Sequence, residues 1–107
     1  EDPYLQSLAE HLGESGAKFY GAYWCPHCQQ PKQVFGASAE RLPYIECTPN
    51  GPKGARNTDC LAAEINSYPT WIIDGRKIER LMGPAQLAKL SDYEAPPGVA
   101  VPTVATH

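Results

Sequence analysis

No stretch of this 107-residue chain approaches the roughly 20 consecutive apolar residues that cross a bilayer, which excludes a membrane-spanning helix within it. The first residues, Glu1-Asp2-Pro3, lack the basic and apolar regions of a signal peptide. Positive charge is not in excess either: nine Lys and Arg against twelve Asp and Glu leave a formal charge of -3 and a pI near 5.5. The cations are scattered, so nucleic-acid binding is disfavoured. No G-x-G-x-x-G fingerprint marks a flavin or nucleotide site, and this domain is expected to hold no cofactor. Zinc is disfavoured too. Cys25 and Cys28 have finger-like spacing, but no second C-x-x-C or H-x-x-x-H follows, and His11 and His107 fall on a predicted helix and in a tail. No internal repeat is present. These absences describe a soluble, monomeric domain. Its start at Glu1, without an initiator Met, is read as that of a processed product or an excised piece of something larger.

What is present predicts one core: 42% hydrophobic and 20% charged residues on a chain of single-domain length. A domain this small buries roughly two thirds of its unfolded surface and is only modestly stable, so a covalent staple helps. Four cysteines could supply one. Outside a metal pattern they point to an oxidising compartment such as periplasm or lumen.

Asp2 followed by Pro3 reads as an N-cap with proline at the first helical position, and Leu5, Leu8, Ala9 and Leu12 recur at helical spacing until Gly13 stops the helix. Residues 17–23 predict a strand buried on both faces, leading into Trp24 and Cys25-Pro26-His27-Cys28. A helix is predicted from Cys25 to about Phe35, kinked at Pro31 and ended by Gly36. A short strand, 44–47, leads to the loop 48–54, and Thr58 or Asp59 caps a helix through Leu61, Ala62 and Ile65. Asp74-Gly75 joins antiparallel strands 70–73 and 76–82, and Gly83-Pro84 opens a last helix ending near Tyr93. Residues 94–107 lack periodicity and are expected to be a flexible tail after a domain spanning 1–93. The predicted class is α/β: a mixed sheet with helices on both faces, whose ligand approaches at the strand end that carries Trp24 and Cys25.

Two cysteines spaced C-x-x-C at a strand-to-helix junction can close a small disulfide, and the helix N-terminus favours a thiolate through its unpaired N–H groups and partial positive charge. Cys25, at the helix start, gains most and is the expected nucleophile and leaving group; Cys28, one turn in and more shielded, resolves the mixed disulfide. His27 lies close enough to add a proton donor or positive charge near the Cys25 sulfur, which favours the reduced form and makes the couple a stronger oxidant. Its plainer reading is an exposed turn histidine. Cys47 and Cys60 bracket the Pro- and Gly-rich loop. A bridge there would stabilise by about 3 kcal/mol in the chain-entropy model, and the alternative is a labile relay exchanging with Cys25 and Cys28. Trp71, on a strand, is expected in the core or rim, whereas Trp24, beside the thiol, is expected to touch substrate.

The run Phe19 to Cys28 with Tyr68-Pro69-Thr70 downstream resembles the thioredoxin superfamily, and Pro-His is the dipeptide of its periplasmic oxidants. With the extra pair Cys47 and Cys60 and Ser-Tyr-Pro-Thr-Trp, roughly residues 4–93 look like the thioredoxin-like domain fused to bacterial and plant homologues of vitamin K epoxide reductase. The resemblance implies a thiol-disulfide oxidoreductase that takes electrons from reduced exported or lumenal proteins and passes them to a membrane-embedded reductase half, where a quinone is reduced. It places the domain on the periplasmic or thylakoid-lumen side of a membrane. Pro69 would be the cis-proline beside the motif, with Tyr68 preceding it where an extended substrate pairs. One departure stands out: thioredoxins commonly bury a carboxylate six residues before the first motif cysteine, and here that residue is Phe19. Glu46, on the next strand, is a possible substitute for proton removal from Cys28; otherwise it is simply solvated. The rival functions are a peptide-binding module without turnover and a disulfide reductase or isomerase.

Overall fold

The computed structural model describes residues 2–99. Helix α1 (Pro3–Glu14) is followed by β1 (Lys18–Gly21), α2 (Pro26–Phe35), a 3₁₀ helix (Gly36–Arg41), β2 (Tyr44–Glu46), α3 (Thr58–Ala62), β3 (Thr70–Ile73), β4 (Arg76–Ile78) and α4 (Pro84–Leu90). The four strands form one sheet in the order β2-β1-β3-β4, with β1 and β2 parallel and the other neighbours antiparallel. This is the mixed α/β sheet expected from the sequence, compatible with a thioredoxin-like fold.

Alternation along β1 divides the core. Phe19 faces Tyr4, Leu8, Leu12, Phe35, Trp71 and Leu87, so α1, α2 and α4 cover one side of the sheet. Tyr20 faces the other side, with Cys47, Cys60 and Ile65 under α3. Fully burying each large apolar side chain stabilises by about 1.5–3 kcal/mol, and most of those side chains lie on the first side. The second side is small and is stitched by the Cys47–Cys60 disulfide, with Cα atoms 5.7 Å apart. Trp71 is fully buried and stacks on Phe19 at 4.4 Å, the core role expected for it.

Several boundaries differ from expectation, each for a local reason. Helix α1 runs past Gly13 to Glu14, and Gly16, with a φ of 84°, closes the turn after it: the Ala17 N–H bonds to the Leu12 carbonyl and the Gly16 N–H to the Gly13 carbonyl. Helix α2 begins at Pro26, with Cys25 as its N-cap, and continues through Pro31. The cap of α3 is Asn57, one residue before the expected pair, its side chain accepting from the Asp59 N–H. That helix stops before Ile65 because Glu64 turns left-handed at φ 58°. Strand β4 ends at Ile78, opposite Trp71, since its partner strand begins just after Pro69, which has no N–H to offer. The Asp74-Gly75 hairpin has positive φ at both residues, 52° and 78°, as a type I′ turn requires. Beyond α4, Ala95 and Val99 pack against the core; residues 100–107 of the expected tail lie outside the described residues.

Candidate active site

The site is built where β1 ends. Gly21 is the last residue of β1, Ala22 is buried, and the chain turns through Tyr23 and Trp24 into the N-terminus of α2. Cys25 is the N-cap of that helix, in extended backbone, and its carbonyl accepts from the N–H groups of Cys28 and Gln29. Pro26 has no N–H to leave unpaired in the first turn. The Cys25 sulfur is half-buried and lies 3.7 Å from the Tyr68 carbonyl, in the orientation of a weak hydrogen bond. The next peptide bond, Tyr68–Pro69, is cis. It brings Tyr68 to the motif, where its ring meets Trp24 edge-on at 6.0 Å.

The two motif thiols occupy different environments. Cys28 is 0% exposed, and the Ala22 N–H points at its sulfur from 3.5 Å. Burial pushes its thiol up to about 12; the hydrogen bond to Cys25 and the negative charges of Cys25 and Glu46 push the same way, against the Ala22 N–H. His27 is exposed in the first turn of α2. Trp24, 43% exposed, donates its indole N–H to Thr48 Oγ1 at 2.9 Å.

Glu46 is not a solvated strand-end carboxylate. Its Oε1 accepts from the Tyr44 hydroxyl at 2.7 Å, and its Oε2 accepts from the Tyr23 N–H at 3.2 Å, the Thr48 N–H at 3.1 Å and the Thr48 hydroxyl at 3.0 Å. Burial would raise its carboxyl, but these hydrogen bonds outweigh burial and hold it below the usual range. Tyr44 moves the opposite way: burial first, then its bond to the Glu46 anion, raises the phenol. Lys32, one turn after Cys28, sits 3.7 Å from the centre of the Tyr44 ring.

Three of these participants escape a motif-based reading. Gly21 is needed for space: a Cβ there would stand 2.8 Å from Tyr44 Cε1 and 3.0 Å from the Cys28 sulfur. A glycine inside a predicted strand is a signal of such close approach. Tyr44 and Thr48 carry no comparable mark. The second pair is brought together as a disulfide with both residues fully buried. Asn57 clamps the same loop, its N–H donating to the Cys47 carbonyl and its side chain to the Glu46 carbonyl.

A half-buried cysteine at a helix N-terminus, a buried cysteine one turn later and a cis-proline opposite form a site suited to dithiol-disulfide exchange on a thioredoxin-like sheet. Comparison with known proteins agrees at that level. No family model matches the chain. Over 94 residues, 85% of this chain, it is 42% identical to the thiol-disulfide oxidoreductase LTO1 of Arabidopsis thaliana. Over 99 residues, 81% of the chain, it is 31% identical to the thioredoxin domain-containing protein 5 homolog of Drosophila melanogaster. The chain spans only 25% and 22% of those two proteins.

Proposed function

We propose that this domain is a thiol-disulfide oxidoreductase that oxidises cysteine pairs in exported or lumenal proteins through Cys25 and Cys28. A substrate thiolate attacks the Cys25 sulfur of the Cys25–Cys28 disulfide, and Cys28 leaves as a thiolate and takes up a proton. The second substrate thiol then attacks the mixed disulfide, forming the substrate's own bridge and releasing Cys25. Two electrons now reside on the Cys25-Cys28 dithiol. A membrane-embedded reductase half of the vitamin K epoxide reductase type, fused in the parent chain, takes them through its own disulfide and hands them to a quinone. The extended substrate segment runs along Tyr68 and Pro69 with Trp24 at its rim, and the setting is the periplasmic or thylakoid-lumen side of the membrane.

The observation that carries this reading is the asymmetry of the two thiols: Cys25 is accessible at the helix start beside the Tyr68 carbonyl, while Cys28 is sealed behind it. An attacking thiol needs access, and a resolving thiol needs only its neighbour. The test uses the parent chain with Cys28→Ser, in which Cys28 no longer resolves a mixed disulfide at Cys25. Adducts of Cys25 with exported clients and with a cysteine of the membrane half are expected. Adducts with soluble clients alone, together with equally efficient reoxidation by small-molecule disulfides, would remove the membrane half from the scheme. The absence of any adduct would favour a peptide-binding module without turnover.

A further inference from the structure

Resting on that reading, the geometry points to Glu46 as a positioning residue: a fixed anion that orders the motif loop beside the Cys28 thiol, and not the base that takes its proton. The position that would hold a buried carboxylate in thioredoxins is Phe19, packed against Trp71 and Tyr44. Glu46 reaches the motif from the neighbouring strand instead, paired in register with Gly21. Cys28 and Tyr44 both press against Gly21, and Tyr44 ends on the Glu46 carboxylate.

The placement of the donors separates fixed charge from base. The Tyr23 N–H, the Thr48 N–H and the Thr48 hydroxyl crowd Oε2, and the Tyr44 hydroxyl holds Oε1. The Cys28 sulfur has its own polar neighbour in the Ala22 N–H, at 3.5 Å. The same four bonds hold the carboxyl below its ordinary range while the thiol is held above its own, so transfer from one to the other runs steeply uphill. The other titratable groups around the pair are Cys25 and Lys32 on α2 and Tyr44 on β2. Lys32 lies against the Tyr44 ring face.

The network also has a mechanical role. Glu46 pins the Tyr23 N–H directly, and it pins Trp24 through Thr48, whose hydroxyl accepts the indole N–H and donates to the carboxylate. Both residues precede Cys25. The anion therefore fixes where the attacking sulfur stands, and its charge adds to the burial that keeps the partner thiol protonated until a mixed disulfide has formed. When Cys25 has formed that mixed disulfide with the membrane half, the Cys28 thiol gives its proton to water or to the departing thiolate of that half, the Cys28 sulfur bonds to the Cys25 sulfur, and the bond from Cys25 to the membrane half breaks.

The experiment follows this resolving step in the whole domain. Cys25 is converted to a mixed disulfide with a coloured aromatic thiol, and its release by Cys28 is timed across pH. Glu46→Gln removes the charge and keeps the shape. We expect the pH profile to shift down, because the Glu46 charge is one of those that raise the Cys28 thiol. For each pH unit that the profile moves, the thiolate at neutral pH rises about tenfold and, offset by its lower nucleophilicity, release quickens about threefold. Glu46→Asp, which keeps the charge, should retain the wild-type profile. If Glu46→Gln does not fold, Glu46→Ala carries the same expectation. A slower release with the profile moved up would make Glu46 the proton acceptor and overturn the inference, as would an unmoved profile. Failure of the wild type to release the thiol at all would refute the oxidoreductase reading itself.

Discussion

Gly21→Ala places a single methyl group into the contact between the motif and the strand beneath it. The Cβ would stand 2.8 Å from Tyr44 Cε1, 3.0 Å from the Cys28 sulfur and 3.3 Å from Cys28 Cβ. None of these neighbours gives way easily. Tyr44 is held by Glu46 at one end and by the edge of Phe19 along its ring, and Cys28 is itself fully buried on the inner face of α2. Gly21 has no left-handed backbone to lose, so the change reports on space alone. Overpacking of this kind costs about 1–3 kcal/mol, and replacing a strand glycine returns about 0.5–1 kcal/mol. The balance, a net loss of about 0–2.5 kcal/mol centred near 1 kcal/mol, corresponds at its centre to about 4–8 °C in Tm for a domain of this size. Gly13→Ala is the control. It lies within α1, where the nearest atom to its Cβ would be the Arg41 carbonyl oxygen at an ordinary 3.8 Å. Alanine should therefore stabilise by about 0.5–1 kcal/mol there. Thermal unfolding followed by circular dichroism, with the Cys47–Cys60 bridge intact, reads both. A Gly21→Ala protein melting at or above the wild type would refute the account of this contact.

Replacing Cys47 and Cys60 together with Ser should lower Tm, because a bridge closing this loop stabilises by about 3 kcal/mol, while dithiol oxidation by the isolated domain stays nearly intact; loss of exchange in a folded variant would favour the relay. The raised Cys28 thiol makes the reduced protein sensitive to alkali: its contribution is fully present below the ordinary thiol value of 9.0 and is lost as pH rises toward about 12. Denaturant titrations across that range should show the loss in reduced protein and not in protein with Cys25 and Cys28 bridged. Glu46 works at the other end, stabilising above its ordinary value of 4.5 and losing that contribution as pH falls, so Glu46→Gln should flatten the acid limb. Replacing His27 with a neutral apolar residue should make the domain a weaker oxidant, a change of about 30 mV for each 1.4 kcal/mol of lost stabilisation, read by equilibration with glutathione.

The element order and the sheet were legible because their signals are local: Asp2-Pro3 for α1, Asp74-Gly75 for the hairpin, the C-x-x-C at a strand end for the start of α2. The ends of α3 and α4 were not. Glu64 and Asp92 adopt the left-handed turn that normally announces itself as glycine, at φ 58° and 56°, and the N–H groups of Ile65 and Tyr93 close back onto the Cys60 and Ala88 carbonyls. Nothing in the residue types marks that choice; Lys77, from a strand distant in sequence, donates to the Ala63 and Glu64 carbonyls and supports one of the two turns. The motif cysteines and Pro69 stood out by spacing and resemblance. The carboxylate network did not, because Tyr23, Tyr44, Thr48 and Glu46 meet only once β1 and β2 pair in register.

Mixing the oxidised domain with a reduced peptide containing two cysteines, then mapping every disulfide by mass spectrometry, tests the central claim most directly. The account predicts an oxidised peptide, a free Cys25-Cys28 dithiol and an untouched Cys47–Cys60 bridge, with Cys25 the first site taken by brief alkylation of the reduced product. A peptide that stays reduced, or electrons found on Cys47 and Cys60 with the motif disulfide intact, would contradict it.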